Sequence, residues 1–147
     1  MMLKPVITCV LCLLLAIPLT GCWNRKELND LAIAGGLAID QADASQYKVT
    51  VQVVDPSEVA SRKGGGGRSP VLTFEATAPS VFEAIRKLTT SSPRKIYLSH
   101  LRIVVLGQQL AERGIAKPLE FLSRDHEVRS DFFVILAKDA KASDILK

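Results

Sequence analysis

Leu31-Ala32-Ile33-Ala34-Gly35-Gly36-Leu37-Ala38-Ile39 alternates large and small apolar residues with no polar interruption. Successive side chains of an extended chain point to opposite faces. Leu31, Ile33, Leu37 and Ile39 therefore fall on one face, and Ala32, Ala34, Gly36 and Ala38 on the other. A strand that is apolar on both faces belongs inside a sheet covered on both sides, and the small face leaves room for a helix to pack closely. The polar, turn-like stretch Asp40–Gln46 follows. Tyr47, Val49, Val51 and Val53 then alternate with Lys48, Thr50 and Gln52, the pattern of a half-exposed strand. The two runs predict an antiparallel hairpin, and the rest of the fold is built out from it.

Towards the C-terminus, Asp55–Pro70 reads as a loop and Val71–Ala78 as a third strand with Leu72, Phe74 and Ala76 on one face. Pro79 suits the first turn of a helix, and Val81, Phe82, Ile85 and Leu88 continue as an apolar stripe at helical spacing, which packs on the core. Thr89–Pro93 ends that helix. Tyr97–Gly107 contains the apolar run Ile103–Leu106, a fourth and central strand. Gln108–Arg113 reads as a short helical turn closed by Gly114, Pro118 as the start of a helix carrying Leu119, Phe121 and Leu122, and Phe132–Ala137 as a fifth, buried strand. Ala140–Lys147 has the look of a helix just starting, with Ile145 and Leu146 short of apolar cover. The last three strands are joined through helices, and right-handed crossovers make such strands parallel. The expected fold is α/β: a mixed sheet of about five strands flanked by helices.

Towards the N-terminus, Lys4 is the only side-chain charge before Arg25, and Val6–Ile17 is an apolar run broken only by Thr8. Pro18, which lacks an N–H and clashes with the preceding turn, ends any helix there. The run is shorter than the roughly 20 apolar residues a membrane span needs, so residues 1–21 read as a secretory signal. Leu19-Thr20-Gly21-Cys22 resembles a lipobox. The Cys22 thiol would take a diacylglyceryl group, and cleavage would make Cys22 the new N-terminus. Each buried CH₂ contributes about 0.8 kcal/mol and one acyl chain binds only marginally, so two chains on one cysteine hold a protein on membrane lipid without a transmembrane helix. Trp23 suits either the headgroup level or a place against the domain. Cys9 and Cys12 would leave with the signal, so residues 22–147 would keep no free thiol once Cys22 is acylated. That stretch is the length of one ordinary domain.

The chemistry-bearing residues are sparse. The formal net charge of +4 comes from 19 Lys and Arg against 15 Asp and Glu scattered through the chain, without the basic cluster of a nucleic-acid interface. Gly64–Gly67 lie between Lys63 and Arg68, but Arg68-Ser69-Pro70 leads into a strand, where a phosphate loop ends in Gly-Lys-Ser/Thr and opens a helix. The run reads as a flexible tip available to a partner. His100 follows Ser99, and strand neighbours point to opposite faces. His126 is between Asp125 and Glu127 in a charged, solvated stretch. No His/Cys/Asp set has metal-ligand spacing, and Asp125, Glu127 and Asp131 lack the calcium-loop pattern. The residues assign no catalytic, cofactor-binding or metal-binding role. They favour a non-enzymatic interaction module. A ligand-binding lipoprotein of a transport system is the alternative, although such proteins usually have two lobes and this chain is short for that.

Three segments carry a family resemblance. Cys22-Trp23-Asn24-Arg25-Lys26-Glu27-Leu28, running into an apolar strand, resembles the start of mature Ger(x)C spore germination lipoproteins, whose pattern has Asp where this chain has Asn24. Arg94-Lys95-Ile96-Tyr97-Leu98-Ser99-His100-Leu101-Arg102-Ile103 and Arg129-Ser130-Asp131-Phe132-Phe133 resemble two later stretches of that family, in the same order. The resemblance implies the lipid-anchored C subunit of a nutrient germinant receptor, on the outer surface of the spore inner membrane beside integral-membrane A and B subunits. It carries over Cys22 as the lipidation site and no germinant-binding residue. It also implies that 22–147 is the N-terminal portion of a longer protein with further domains.

Overall fold

The hairpin forms where the alternation places it. In the computed structural model, which describes residues 3–16, 27, 30–54 and 70–146, β1 (Leu31–Asp43) and β2 (Gln46–Val54) pair antiparallel, with Leu37 opposite Val51 and Ile39 opposite Val49. β3 (Val71–Ala78) pairs antiparallel with β2 over its whole length, from Tyr47↔Ala78 to Val54↔Val71. β5 (Ile103–Leu106) lies parallel to β1 on its other side, and β6 (Phe133–Leu136) lies parallel to β5. The sheet order is β3-β2-β1-β5-β6. A short β4 (Lys95–Tyr97) pairs parallel with Leu31–Ile33 at the start of β1. This is the expected mixed α/β sheet, with six strands instead of five. Three residues are too few to show an alternation, so β4 is visible only through its pairing.

α2 (Val81–Ser91), α3 (Gln108–Arg113) and α4 (Ala116–Arg124) cover one face of the sheet. Their buried Leu88, Leu110 and Leu122 meet Leu37, Ile39, Val49, Val51, Val104 and Leu106 in one cluster. The local signals explain the helix ends. Ser80 takes the N-cap of α2, its hydroxyl accepting from the Glu83 N–H at 3.2 Å, so Pro79 precedes the cap and is not in the first turn. Gly114 closes α3 at φ 113°, a conformation that side chains disfavour. Pro118 is the third residue of α4, where its missing N–H has no intrahelical partner to lose.

Four expectations need correction. A register shift between Ala34 and Gly36 moves the first part of β1 by one face. Ala32 and Ala34 consequently join Leu37 and Ile39 in the helix-side core, where a bulge-free strand would have put them opposite. Thr50, expected in solvent, is fully buried. β6, expected to be buried, is the sheet's outer strand, and all four of its residues are exposed. Leu146, expected to lack cover, is buried beneath α5 (Ala142–Ile145), while Ile145 is exposed.

α5 lies on the opposite face from α2–α4. Ala142 and Leu146 pack with Ala38, Val105 and Ala137, and a Cβ added at Gly36 would come within 2.7 Å of Leu146 Cδ2. The small residues late in β1 do admit a close helix, as their size predicts. At the N-terminus, α1 (Leu3–Ala16) takes in the apolar run as far as Ala16, with Val6, Ile7, Val10, Leu11 and Leu13 exposed. Among the described residues no helix is long and apolar enough to cross a membrane.

Candidate functional site

Cys22, Trp23 and the glycine run Gly64–Gly67 lie outside the described residues. The other chemistry-bearing side chains are dispersed. His100 is exposed in a turn, its ring 5.9 Å from that of Tyr97. The neighbouring Ser99 hydroxyl donates to the Glu127 carbonyl at 2.7 Å, away from any base. The His126 side chain is 93% exposed. Asp125, Glu127 and Asp131 do not converge. Glu127 pairs with Lys95 at 2.6 Å, Asp125 accepts the Glu127 N–H at 2.8 Å, and Asp131 faces Arg129 at 3.5 Å. Among the described residues no group of three His, Cys, Asp or Glu is placed to hold a metal ion.

Among the described residues the one buried charged side chain is structural. Asp40, 7% exposed at the C-terminal half of β1, turns its carboxylate towards the first turn of α5. Oδ1 accepts the Ala142 N–H at 2.7 Å and Oδ2 the Ser143 N–H at 2.9 Å. A remote side chain thus does the work of a helix cap, satisfying donors that a helix start leaves unpaired. Gly107 makes room for it, since a Cβ there would come within 2.3 Å of Asp40 Oδ1. At the other end of α5, the Gln52 side-chain amide donates to the Leu146 carbonyl. Sequence reading placed Asp40 in a turn. No spacing signal could have found its role, because its partners are about a hundred residues away.

Two clefts open on the surface. The first, about 640 Å³, lies between the β1–β2 turn and the starts of α2 and α4. Tyr47, Phe82 and Phe121 line it, with the cations Arg113 and Lys117 and no carboxylate. The rings of Phe82 and Phe121 in its wall have centroids 5.7 Å apart, and outside the cleft lining the Arg86 guanidinium is 5.5 Å from the Phe82 centroid. The second, about 700 Å³, carries charges of both signs, including Asp40, Lys48, Glu112 and Lys141. Among the described residues neither is lined by a histidine or cysteine. On the sheet's edge, β6 exposes Phe133 at 75%, Val134 at 45%, Ile135 at 40% and Leu136 at 58%.

Residues 24–147 match the family described as the spore germination protein N-terminal domain. The chain is 36% identical over 150 residues to spore germination protein KC of Bacillus subtilis (strain 168), an alignment covering 99% of this chain and 37% of that protein. It is 29% identical over 128 residues to spore germination protein B3 of the same organism, covering 86% of this chain and 33% of that protein. Against spore germination protein GerQC of Bacillus cereus the identity is 23% over 138 residues, covering 94% of this chain and 36% of that protein. The chain therefore spans 33% to 37% of the length of these relatives. No solved structure matches it. A mixed sheet running from β1 to β6, with dispersed polar side chains and a match over all but the first 23 residues, belongs to the spore germination protein family, in the part that forms its N-terminal domain.

Proposed function

We propose that this chain is a lipid-anchored, non-enzymatic component of a nutrient germinant receptor. It is held on the outer face of the spore inner membrane by acylated Cys22 and acts through protein–protein contacts with integral-membrane A and B subunits. The observation that carries this reading is the join between two signals. The family match begins at Asn24, directly after Leu19-Thr20-Gly21-Cys22 and the apolar run before it, and the alignment with spore germination protein KC runs over 99% of the chain, the apolar run included. The dispersal of His, Cys and acidic side chains among the described residues supports an interaction role over a catalytic one.

The anchor is tested by feeding labelled palmitate to cells that make the chain or its Cys22→Ala variant. Label is expected in the first and absent from the second, with the variant lost from the membrane fraction. Equal label in both refutes the assignment. The receptor role is tested by affinity isolation of the tagged chain from spore membranes. Recovery of two integral-membrane proteins with it is expected, and isolation of the chain with lipid alone contradicts that role.

A further inference from the structure

Among the described residues β6 pairs with β5 on one side only. The Phe133 N–H donates to the Arg102 carbonyl at 2.8 Å and the Ala137 N–H to the Leu106 carbonyl at 2.8 Å. In a parallel ladder alternate residues turn their backbone groups to the same neighbour, so Val134 and Leu136 turn theirs outwards, away from β5. Register with Val104 and Leu106 puts the Val134 and Leu136 side chains on the helix-covered face, and Phe133 and Ile135 on the α5 face beside Ile103, which is also exposed. The four residues contain no lysine, proline or bulge, the devices that keep an open edge from pairing. The strand has the composition of an interior strand at the position of an outer one.

Its occupant follows from size. Four residues of edge make a strip only about 13 Å long, and a strip of that length one strand wide covers much less area than the roughly 800 Å² per partner that a stable complex between separate molecules buries. A segment of the same chain has no such requirement, because tethering supplies an effective concentration in the millimolar range. Relatives that carry this domain are nearly three times its length, the chain covering 37% of spore germination protein KC. We propose that in family-length chains β6 is an interior strand. A segment from the part of such chains that follows the region matched here pairs with the outward backbone groups of Val134 and Leu136 and covers Phe133 and Ile135.

The experiment compares the 147-residue chain with a chimera in which Lys147 is followed by the sequence that continues past the matched region of spore germination protein KC. Amide hydrogen exchange is read at Val134 and Leu136, with Val51 in the middle of β2 reporting that the domain is folded. The proposal expects Val51 to be protected in both chains, and Val134 and Leu136 to exchange about 100-fold more slowly in the chimera, as amides released only by sub-global opening do. Phe133→Lys should leave the thermal midpoint of the 147-residue chain within a degree of its parent and lower that of the chimera by several degrees, about what burial of a charge in a shared interface produces. Equal exchange in the two chains overturns the proposal. So does a chimera in which Val51 loses protection, since the added segment would then undo the domain instead of completing its sheet. Protection of Val134 and Leu136 that rises with concentration in the 147-residue chain also overturns it, in favour of a second copy.

Discussion

Substituting Asp40 by alanine is expected to release α5 from the sheet. Two hydrogen bonds to a charged acceptor are lost, from Ala142 at 2.7 Å and Ser143 at 2.9 Å. Each such bond is worth about 1.5–3 kcal/mol, and partial rehydration of the freed N–H groups offsets part of the loss. A net cost of about 3 kcal/mol results, which in urea, at a slope of about 1.5 kcal/mol per molar, moves the unfolding midpoint down by about 2 M. Gly107→Ala attacks the same contact from the other side. Its Cβ would lie 2.3 Å from Asp40 Oδ1, so the carboxylate must leave its two donors, and about 2 kcal/mol is expected from the lost bonds. With alanine at both positions, the contact that made Gly107→Ala costly is gone, because the next nearest backbone atom, Asp40 Cα, is 3.5 Å away. The double-mutant cycle should therefore show a coupling of about 1.5 kcal/mol. The assay is equilibrium urea unfolding of the 147-residue chain and its three variants. Additivity within about 0.5 kcal/mol would mean that the two residues act independently and would refute the reasoning, as would an unchanged midpoint for Asp40→Ala.

Two further substitutions test local features of the fold. Thr50→Val removes a hydroxyl that is buried with no hydrogen-bond partner among the described residues. Replacing an unsatisfied polar group by an apolar one of the same shape should stabilise by about 1 kcal/mol, read as a raised midpoint in the same urea assay. Gly114→Ala meets no atom within 4 Å but must adopt φ 113°, so it should destabilise by about 1–3 kcal/mol through backbone strain alone, and a neutral result by thermal unfolding would contradict the observed turn.

What the sequence determines by itself here is what depends on neighbours along the chain. The alternations over 31–39, 47–53 and 71–78 predict three strands, and the structure has them, with the Val49, Val51 and Val53 face buried as read. The helix punctuation is similarly local: Gly114 closes α3, and the apolar stripe Val81–Leu88 forms α2. The antiparallel hairpin and the parallel relation of β5 and β6 follow from connection length and handedness. At the candidate site, Cys22 rests on its local sequence motif alone and lies outside the described residues. The tertiary structure decided what depends on distant partners. The shift at Ala34/Gly36 reassigned Ala32 and Ala34 to the other face, because a bulge is set by the register of β2, which alternation in β1 does not encode. Asp40 became a cap because Ala142 and Ser143 were brought to it. Phe133–Leu136 reads as an interior strand, and an apolar run is the same string of residues whether a further strand lies beside it or not; only the sheet order shows that β6 is the edge.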